Sequence, residues 1–239
     1  MENILLYEGK AKKIYSTERS DIIRVAYKDS ATAFNGVKKD SIAGKGRLNN
    51  LFTSFFFTLL KEKGIDNHFE GKVSETEHLA LKVQIVPLEV IVRNKAAGTL
   101  AKRIGKEEGF AMPFPLIELC FKNDELGDPM LNDDHVFALG LATAEELASI
   151  KKSALQINEV LGSFFRGHGL DLIDFKLEFG KTPDGRIILA DEISPDTCRI
   201  WDLATGQKLD KDVFRRDLAP LAETYQQLAK RIGLIPQTN

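Results

Sequence analysis

The chain has 239 residues and sets 33 Lys plus Arg against 35 Asp plus Glu, a formal charge of -2, so it offers no basic field for nucleic acid or an acidic membrane surface. Its 43% hydrophobic and 28% charged residues sit near the globular average, which excludes disorder, and the length suits one large domain or two lobes. The most apolar stretch, 51–60, is interrupted by Thr53, Ser54 and Thr58 and falls well short of the ~20 residues that span a bilayer.

The first residues lack a basic segment followed by a long apolar run, so the cytoplasm is the expected location. Short strands are predicted over 4–7, 13–16 and 22–27, forming a small antiparallel sheet. Leu48, Leu51, Phe52, Phe55, Phe56, Leu59 and Leu60 recur at helical spacing, predicting a helix over 45–63 whose aromatic face packs on that sheet. Residues 79–92 read as one or two strands interrupted or bent at Pro87, where the chain crosses between lobes. A helix is expected over 100–108 and a longer one over 144–166, opened by the capping-box pair Thr143 and Glu146. Strands 171–180 and 186–193 flank a turn at 182–185, and a final helix over 211–232 contains Pro220. Strands and helices fall in blocks, so the expected fold class is α+β in two lobes, 1–85 and 86–239.

Cys120 and Cys198 form no CxxC pair, and His68, His78, His135 and His168 show neither HExxH nor i,i+4 spacing. Any metal is expected on oxygen ligands.

Four segments carry residues fit for chemistry. Along 172–180, strand alternation turns Phe175, Leu177 and Phe179 to one face and Asp174, Lys176 and Glu178 to the other. A two-residue loop at Asp184 and Gly185 would set Glu178 directly across from Asp191. Like charges so placed are destabilising by roughly 0.2–1 kcal/mol, which calls for a cation; Mg2+, shared between carboxylates and substrate phosphates, is the natural candidate. The same residues equally suit a solvated face on which Lys176 neutralises its neighbours, and a three-residue loop with a bulge would part Glu178 from Asp191.

In YEGKAKKIY (7–15), a glycine turn lets backbone N–H groups approach phosphates while Lys10 and Lys12 point the same way, an arrangement suited to a triphosphate or simply a basic hairpin. The chain contains no GxxxxGK[ST] and so no P-loop. In VPLEVIVRNKAAGTL (86–100), a buried strand ends in Arg93 and a turn with Gly98 and Thr99 opens a helix; this is a phosphate site or an ordinary connection. In LADEISPDTCRIW (189–201), two acids, Pro195, Arg199 and the single Trp gather where the proposed metal strand ends, with an Asp196–Arg199 pair as the bland alternative.

Taken together and in order, YEGKAKKIY, VPLEVIVRNKAAGT, LIDFKLEFG and DEISPDTCRIW resemble the SAICAR synthetase (phosphoribosylaminoimidazole-succinocarboxamide synthase) family of de novo purine biosynthesis, over essentially 6–233. The resemblance implies a two-lobed ATP-grasp-like fold with antiparallel sheets and nucleotide between the lobes. It implies an ATP-dependent ligase that joins L-aspartate to the carboxylate of carboxyaminoimidazole ribonucleotide (CAIR) through an acyl phosphate, giving SAICAR, ADP and phosphate. ATP and Mg2+, the small-molecule partners CAIR and L-aspartate, and a homo-oligomer, a homodimer, follow from the same resemblance, with no nucleic acid or membrane partner.

By that resemblance Lys10 and Lys12 hold the triphosphate, Lys122 is a further phosphate-side lysine, and Gln84 and Ile85 offer backbone groups to adenine. Glu178 and Asp191 match the magnesium carboxylates, and Arg93, Thr99 and Arg199 the ribonucleotide-phosphate residues. Asp174, Lys176 and Asp196 match residues around the imidazole amine and carboxylate, and Arg215 is assigned to an aspartate carboxylate. Thr99 departs from the family's usual Ser, keeping the hydroxyl donor with a stiffer rotamer. A small-molecule kinase with the same nucleotide site and a non-catalytic nucleotide-binding module are the alternatives; the second would be expected to lack one of the metal acids.

Overall fold

An antiparallel meander opens the chain, comprising β1 (Leu5–Glu8), β2 (Lys12–Ser16) and β3 (Ile22–Tyr27), with Gly9 in its first turn and the polar stretch Thr17 to Asp21 in its second. The computed structural model describes residues 4–33 and 37–237. A separate hairpin, β4 (Ser30–Ala33) and β5 (Lys38–Ser41), precedes helix α1 (Lys45–Glu62). Then β6 (Phe69–Lys72) and β7 (Glu77–Leu81) complete a five-stranded sheet in the order β1-β2-β3-β7-β6.

Where one or two strands were expected over 79–92, β7 is followed by β8 (Gln84–Ile85) and β9 (Leu88–Lys95). Pro87 lies in the gap, because a residue without an N–H cannot continue the ladder. Next come α2 (Gly98–Ile104), β10 (Ala111–Phe121), β11 (Met130–Leu131), α3 (Asp133–Ala138) and α4 (Ala144–Gly167). Helix α2 stops short of the expected 108 at Gly105, whose φ of 65° ends it. Helix α4 begins as expected, with reciprocal bonds between Thr143 and Glu146 of 3.0 and 3.2 Å.

The chain ends with β12 (Leu170–Lys181), β13 (Ile187–Ala190), β14 (Cys198–Asp202), α5 (Asp212–Arg215) and α6 (Leu221–Arg231). The single helix expected over 211–232 is thus two, and Pro220 caps the second instead of lying inside it. Long strand β12 is the spine of the second sheet: β9 and then β8 pair along one edge, β14 and then β13 along the other, with β10 and β11 beyond β9.

Phe175, Leu177 and Phe179 of β12 join Val90 and Val92 of β9 and Leu147, Ile150, Ile157 and Leu161 of α4 in one core that also takes in α1 and α6. Helix α1 does more than cover the first sheet. Phe57 meets Phe69 there, but Phe52 packs edge-on to Tyr225 of α6 and Phe56 meets Phe164 and Phe165 of α4. The aromatic face therefore glues the two halves together rather than serving one sheet.

The hairpin joining β12 to β13 corrects the expected register. Thr182 N–H bonds Arg186 O at 2.9 Å, and Gly185, with φ of 88°, closes a three-residue loop. Glu178 consequently lies opposite Ala190, not Asp191. A regular strand would then send Asp191 to the other face. Instead Asp191 adopts φ of 62°, which ends β13 early and turns its carboxylate back.

Candidate active site

The polar face of β12 is extended by both neighbouring strands. Asp174 stands across from Arg93 on β9 and from Arg199 on β14, giving an Arg–Asp–Arg row that spans three strands. Arg93 Nη1 donates to Asp174 Oδ2 at 2.7 Å, and Arg199 Nη1 donates to the same oxygen at 2.8 Å. Outward from the row, Arg93 Nε donates to Glu118 at 2.7 Å, Arg199 Nε to Asp212 at 3.0 Å and Arg215 Nη1 to Asp212 at 2.6 Å. Burial works against the Arg199 charge, but Asp174 and Asp212 outweigh it and raise its pKa.

A Cβ on Gly98 would lie 2.7 Å from Arg199 Nη2, and φ there is 52°, so only glycine lets the start of α2 approach that guanidinium. Thr99, next in the chain, is exposed. Asp196 does not pair with Arg199, so the bland alternative for that loop is not what forms.

At the far end of β12 the two sheets meet along a seam of opposite charges. Lys12 of the first sheet bonds Asp191 and lies 3.1 Å from Glu192; Lys10, in the turn before β2, reaches Asp124 at 2.7 Å. Lys122, just beyond β10, bonds Glu178, while Lys176 bonds Glu178 at 2.7 Å and Glu89 at 3.0 Å. Burial would raise the Asp191 carboxyl, yet Lys12, Lys176 and Lys122 hold it well below the usual carboxylate range. Burial likewise opposes the charge on Lys176, and Glu178, Asp191 and Glu89 raise its pKa. Glu178 and Asp191 therefore share the field of the same two lysines although they are not cross-strand partners.

Among the described residues no three acidic, histidine or cysteine side chains converge as a closed metal cage. An open pair of carboxylates suits a hard divalent cation whose shell is completed by phosphate oxygens and water.

Asp196, which the resemblance matches to a residue around the imidazole amine and carboxylate, has both of its carboxylate oxygens engaged by side chains. Lys45 and Asn49 of α1 bond Oδ2, and Tyr225 of α6 donates to Oδ1 at 2.6 Å. Lys45 was not singled out from the sequence, although a lysine at the first position of a helix, where the dipole disfavours it, is a signal. Asp210 was also missed: fully buried, it accepts from Ile200 N–H at 2.9 Å and Asp212 N–H at 2.7 Å, fixing the turn that presents Asp212 to Arg199 and Arg215. Burial and neighbouring Asp212 push its carboxyl up to about 7. Glu192, Glu89 and Glu118 complete the set that the motifs did not disclose.

Gln84 and Ile85 are exposed on the short strand crossing between sheets. Ile85 stands opposite Gly180, and Val86 N–H donates to Phe179 O at 2.9 Å. In antiparallel alternation this makes the Ile85 pair the non-hydrogen-bonded one, so its N–H and C=O point away from β12.

Two antiparallel sheets meeting at a seam of lysines and acids, with an arginine row on the same polar face, define a class: an α+β protein with a strongly charged polar face shared by both sheets. Residues 5–232 match the SAICAR synthetase family, to which the chain belongs. It is 59% identical to phosphoribosylaminoimidazole-succinocarboxamide synthase of Anoxybacillus flavithermus over 96% of this chain and 95% of that one. The enzyme of the same name from Brevibacillus brevis is 56% identical over 95% of each chain. Among solved structures, phosphoribosylaminoimidazole-succinocarboxamide synthase from Ehrlichia chaffeensis superposes with a TM-score of 0.95 at 43% identity, covering 98% of this chain and 100% of the other. A SAICAR synthetase in complex with ADP superposes with a TM-score of 0.93 at 48% identity, covering 97% and 99%.

Proposed function

We propose that this chain joins L-aspartate to the carboxylate of CAIR at the expense of ATP, giving SAICAR, ADP and phosphate. Family membership makes it an ATP-dependent ligase of purine biosynthesis. The observation that carries the residue-level reading is the shared polar face. One stretch of β12 links the Arg93–Asp174–Arg199 row to the Lys–acid seam, so a ribonucleotide held at one end presents its other end to a phosphoryl group at the other.

In this reading Ile85 and Gln84 supply main-chain contacts to adenine, and Lys10, Lys12 and Lys122 exchange their acidic partners for the triphosphate. Glu178 and Asp191 hold Mg2+, whose chemistry is to neutralise the phosphate oxygens. Arg93, Arg199 and Thr99 bind the ribonucleotide phosphate. Lys176 neutralises the CAIR carboxylate as its oxygen attacks the γ-phosphorus, and Asp174 orients the imidazole amine. Asp196 joins Asp174 and Lys176 around the imidazole amine and carboxylate, and Arg215 meets an aspartate carboxylate.

The amine of L-aspartate then attacks the acyl carbon, and phosphate leaves with the bridging oxygen. The ATP-grasp-like placement of nucleotide between the lobes, the lobe limits 1–85 and 86–239, a cytoplasmic location and a homodimer belong to the same proposal. No helix among the described residues is long and apolar enough to cross a membrane.

With 18O in the CAIR carboxylate, one label is expected in the phosphate released when L-aspartate is present. Unlabelled phosphate alongside SAICAR would overturn the acyl-phosphate route, and failure to form SAICAR would overturn the activity. Phosphoryl transfer to a hydroxyl, as in a kinase, would put no label in phosphate.

A further inference from the structure

A ring of contacts closes around the Arg199 guanidinium through Glu108, a residue outside all four motif segments. From Arg199 Nε the ring runs to Asp212 Oδ2 at 3.0 Å, and from that oxygen to Arg216 Nη2 at 3.6 Å. Arg216 Nη2 donates to Glu108 Oε1, which also accepts from the Gly98 N–H at 3.1 Å. The ring returns at Gly98, where a Cβ would stand 2.7 Å from Arg199 Nη2.

Glu108 fastens this ring. Arg216 meets it as a two-pronged fork, with Nη1 donating to Oε2 at 2.9 Å and Nη2 to Oε1, and Lys208 donates to Oε2 at 3.0 Å. One carboxylate thus joins the start of α2, the segment after β14 and the residue just beyond α5. Arg216 first, then the Gly98 N–H and Lys208, hold that carboxyl well below the usual carboxylate range against partial burial. Lys208 Nζ also lies 4.3 Å over the Trp201 ring, and a Cβ on Gly109 would lie 3.5 Å from the same ring, so the loop carrying Glu108 is seated on the single tryptophan. The Glu108 and Arg216 side chains are 32% and 37% exposed, and ion pairs this open contribute little to global stability. What such a clamp fixes is spacing. Thr99 follows Gly98 directly and Arg199 is the group enclosed, so two of the three side chains assigned to the ribonucleotide phosphate come from segments that Glu108 ties together.

We propose that Glu108 is a positioning residue for the ribonucleotide phosphate: without touching it, Glu108 holds the turn at Gly98 and Thr99 at the distance from Arg199 that brings both to one phosphate group. The proposal rests on the ligase reading above and gives a role to a residue that the motifs leave out. A bare acid beside a phosphate would repel it, but Arg216 and Lys208 together outweigh the charge of Glu108. Misplacing a binding group by ~1 Å costs up to about a hundredfold, so a clamp that adds little to stability still counts in the reaction.

The test is steady-state kinetics of the full chain with Glu108→Ala, Glu108→Gln, Arg216→Met and the double variant Glu108→Ala/Arg216→Met. Glu108→Ala is expected to raise KM for CAIR about tenfold, with KM for ATP within about twofold and Tm within about 2 °C of wild type. Glu108→Gln, which keeps an acceptor for the Gly98 N–H but not the charge, is expected to fall between wild type and Glu108→Ala. The double variant should be no worse than the poorer single one, since both changes remove the same clamp. An unchanged or lowered CAIR KM in Glu108→Ala, an equal rise in the ATP KM, a lowered Tm with every KM unmoved, or losses that multiply in the double variant would overturn the proposal. Should Glu108→Ala not fold, Glu108→Gln decides: a raised CAIR KM with the ATP KM unmoved supports the proposal, and identity with wild type overturns it. A wild-type enzyme that forms no SAICAR would instead overturn the reading beneath it.

Discussion

The seam at the end of β12 and the knot around Asp196 are both buried charge clusters, built in opposite ways. In the seam each buried lysine has two acids: Lys12 has Asp191 and Glu192, and Lys176 has Glu178 and Glu89. In the knot one acid has every donor, with Lys45, Asn49 and Tyr225 converging on Asp196. The seam can lose or exchange one partner and leave no lysine stranded, as a site that must release its ions onto a ligand requires. The knot cannot, since removing its one acid strands Lys45, which is 1% exposed. Redundancy marks exchange, and convergence marks a structural tie.

The largest effect expected from this contrast is on turnover. Glu178→Gln and Asp191→Asn should each lower Mg2+-dependent kcat by about three orders of magnitude or more while Tm stays within a few degrees, because Glu89 and Glu192 keep Lys176 and Lys12 paired. Near-normal kcat in both variants would remove the seam from the chemistry.

Asp196→Ala should show its effect in stability as well. Leaving Lys45 buried and unpaired is destabilising by about 3–5 kcal/mol, a fall in Tm of roughly 10 °C for a chain of this size. A denaturation midpoint equal to wild type would show that the knot does not tie α1 to α6.

Acid should separate the regions more gently. His68 bonds Leu189 O through its main-chain N–H at 2.9 Å, beside the seam, and both ring nitrogens are buried without a partner among the described residues. Burial depresses its pKa to about 4, with Asp191 opposing. Below pH 6.5 the unfolded chain takes up a proton that the folded His68 refuses, so stability falls as pH drops from 6.5 to about 4, by up to ~3 kcal/mol from this group. Asp196, held below the usual carboxylate range by Lys211 and Lys45 against burial, keeps its contribution until lower pH. Urea titrations should show this slope in the wild type and a shallower one in His68→Phe; equal slopes would place the acid-labile group elsewhere.

Much of the fold could be read directly from the chain. Hydrophobic periodicity disclosed α1, α4 and the β12–β13 hairpin because each repeats over enough residues to fix a face. Strands β6, β11 and β14 escaped because they are short and take their stability from neighbours distant in sequence. The C-terminal helix was overextended because its apolar pattern runs through Pro220, whose ring forbids the continuation that the pattern suggests.

The sequence alone determined the chemistry available along the longer periodic segments, such as the alternation of Asp174, Lys176 and Glu178 with Phe175, Leu177 and Phe179, and the motifs of the family. Residue identity and strand alternation are local properties, so they survive without coordinates. Only the tertiary structure decided how the charges meet. Asp191 reaches the field of Glu178 through φ of 62°, not through register. Asp174 lies between Arg93 and Arg199 because β9 and β14 flank β12. Asp196 is saturated because α1 and α6 deliver donors from 147 and 29 residues away. Ion pairs form between side chains within a few ångströms, and that proximity depends on the packing of the whole chain, which no local pattern encodes.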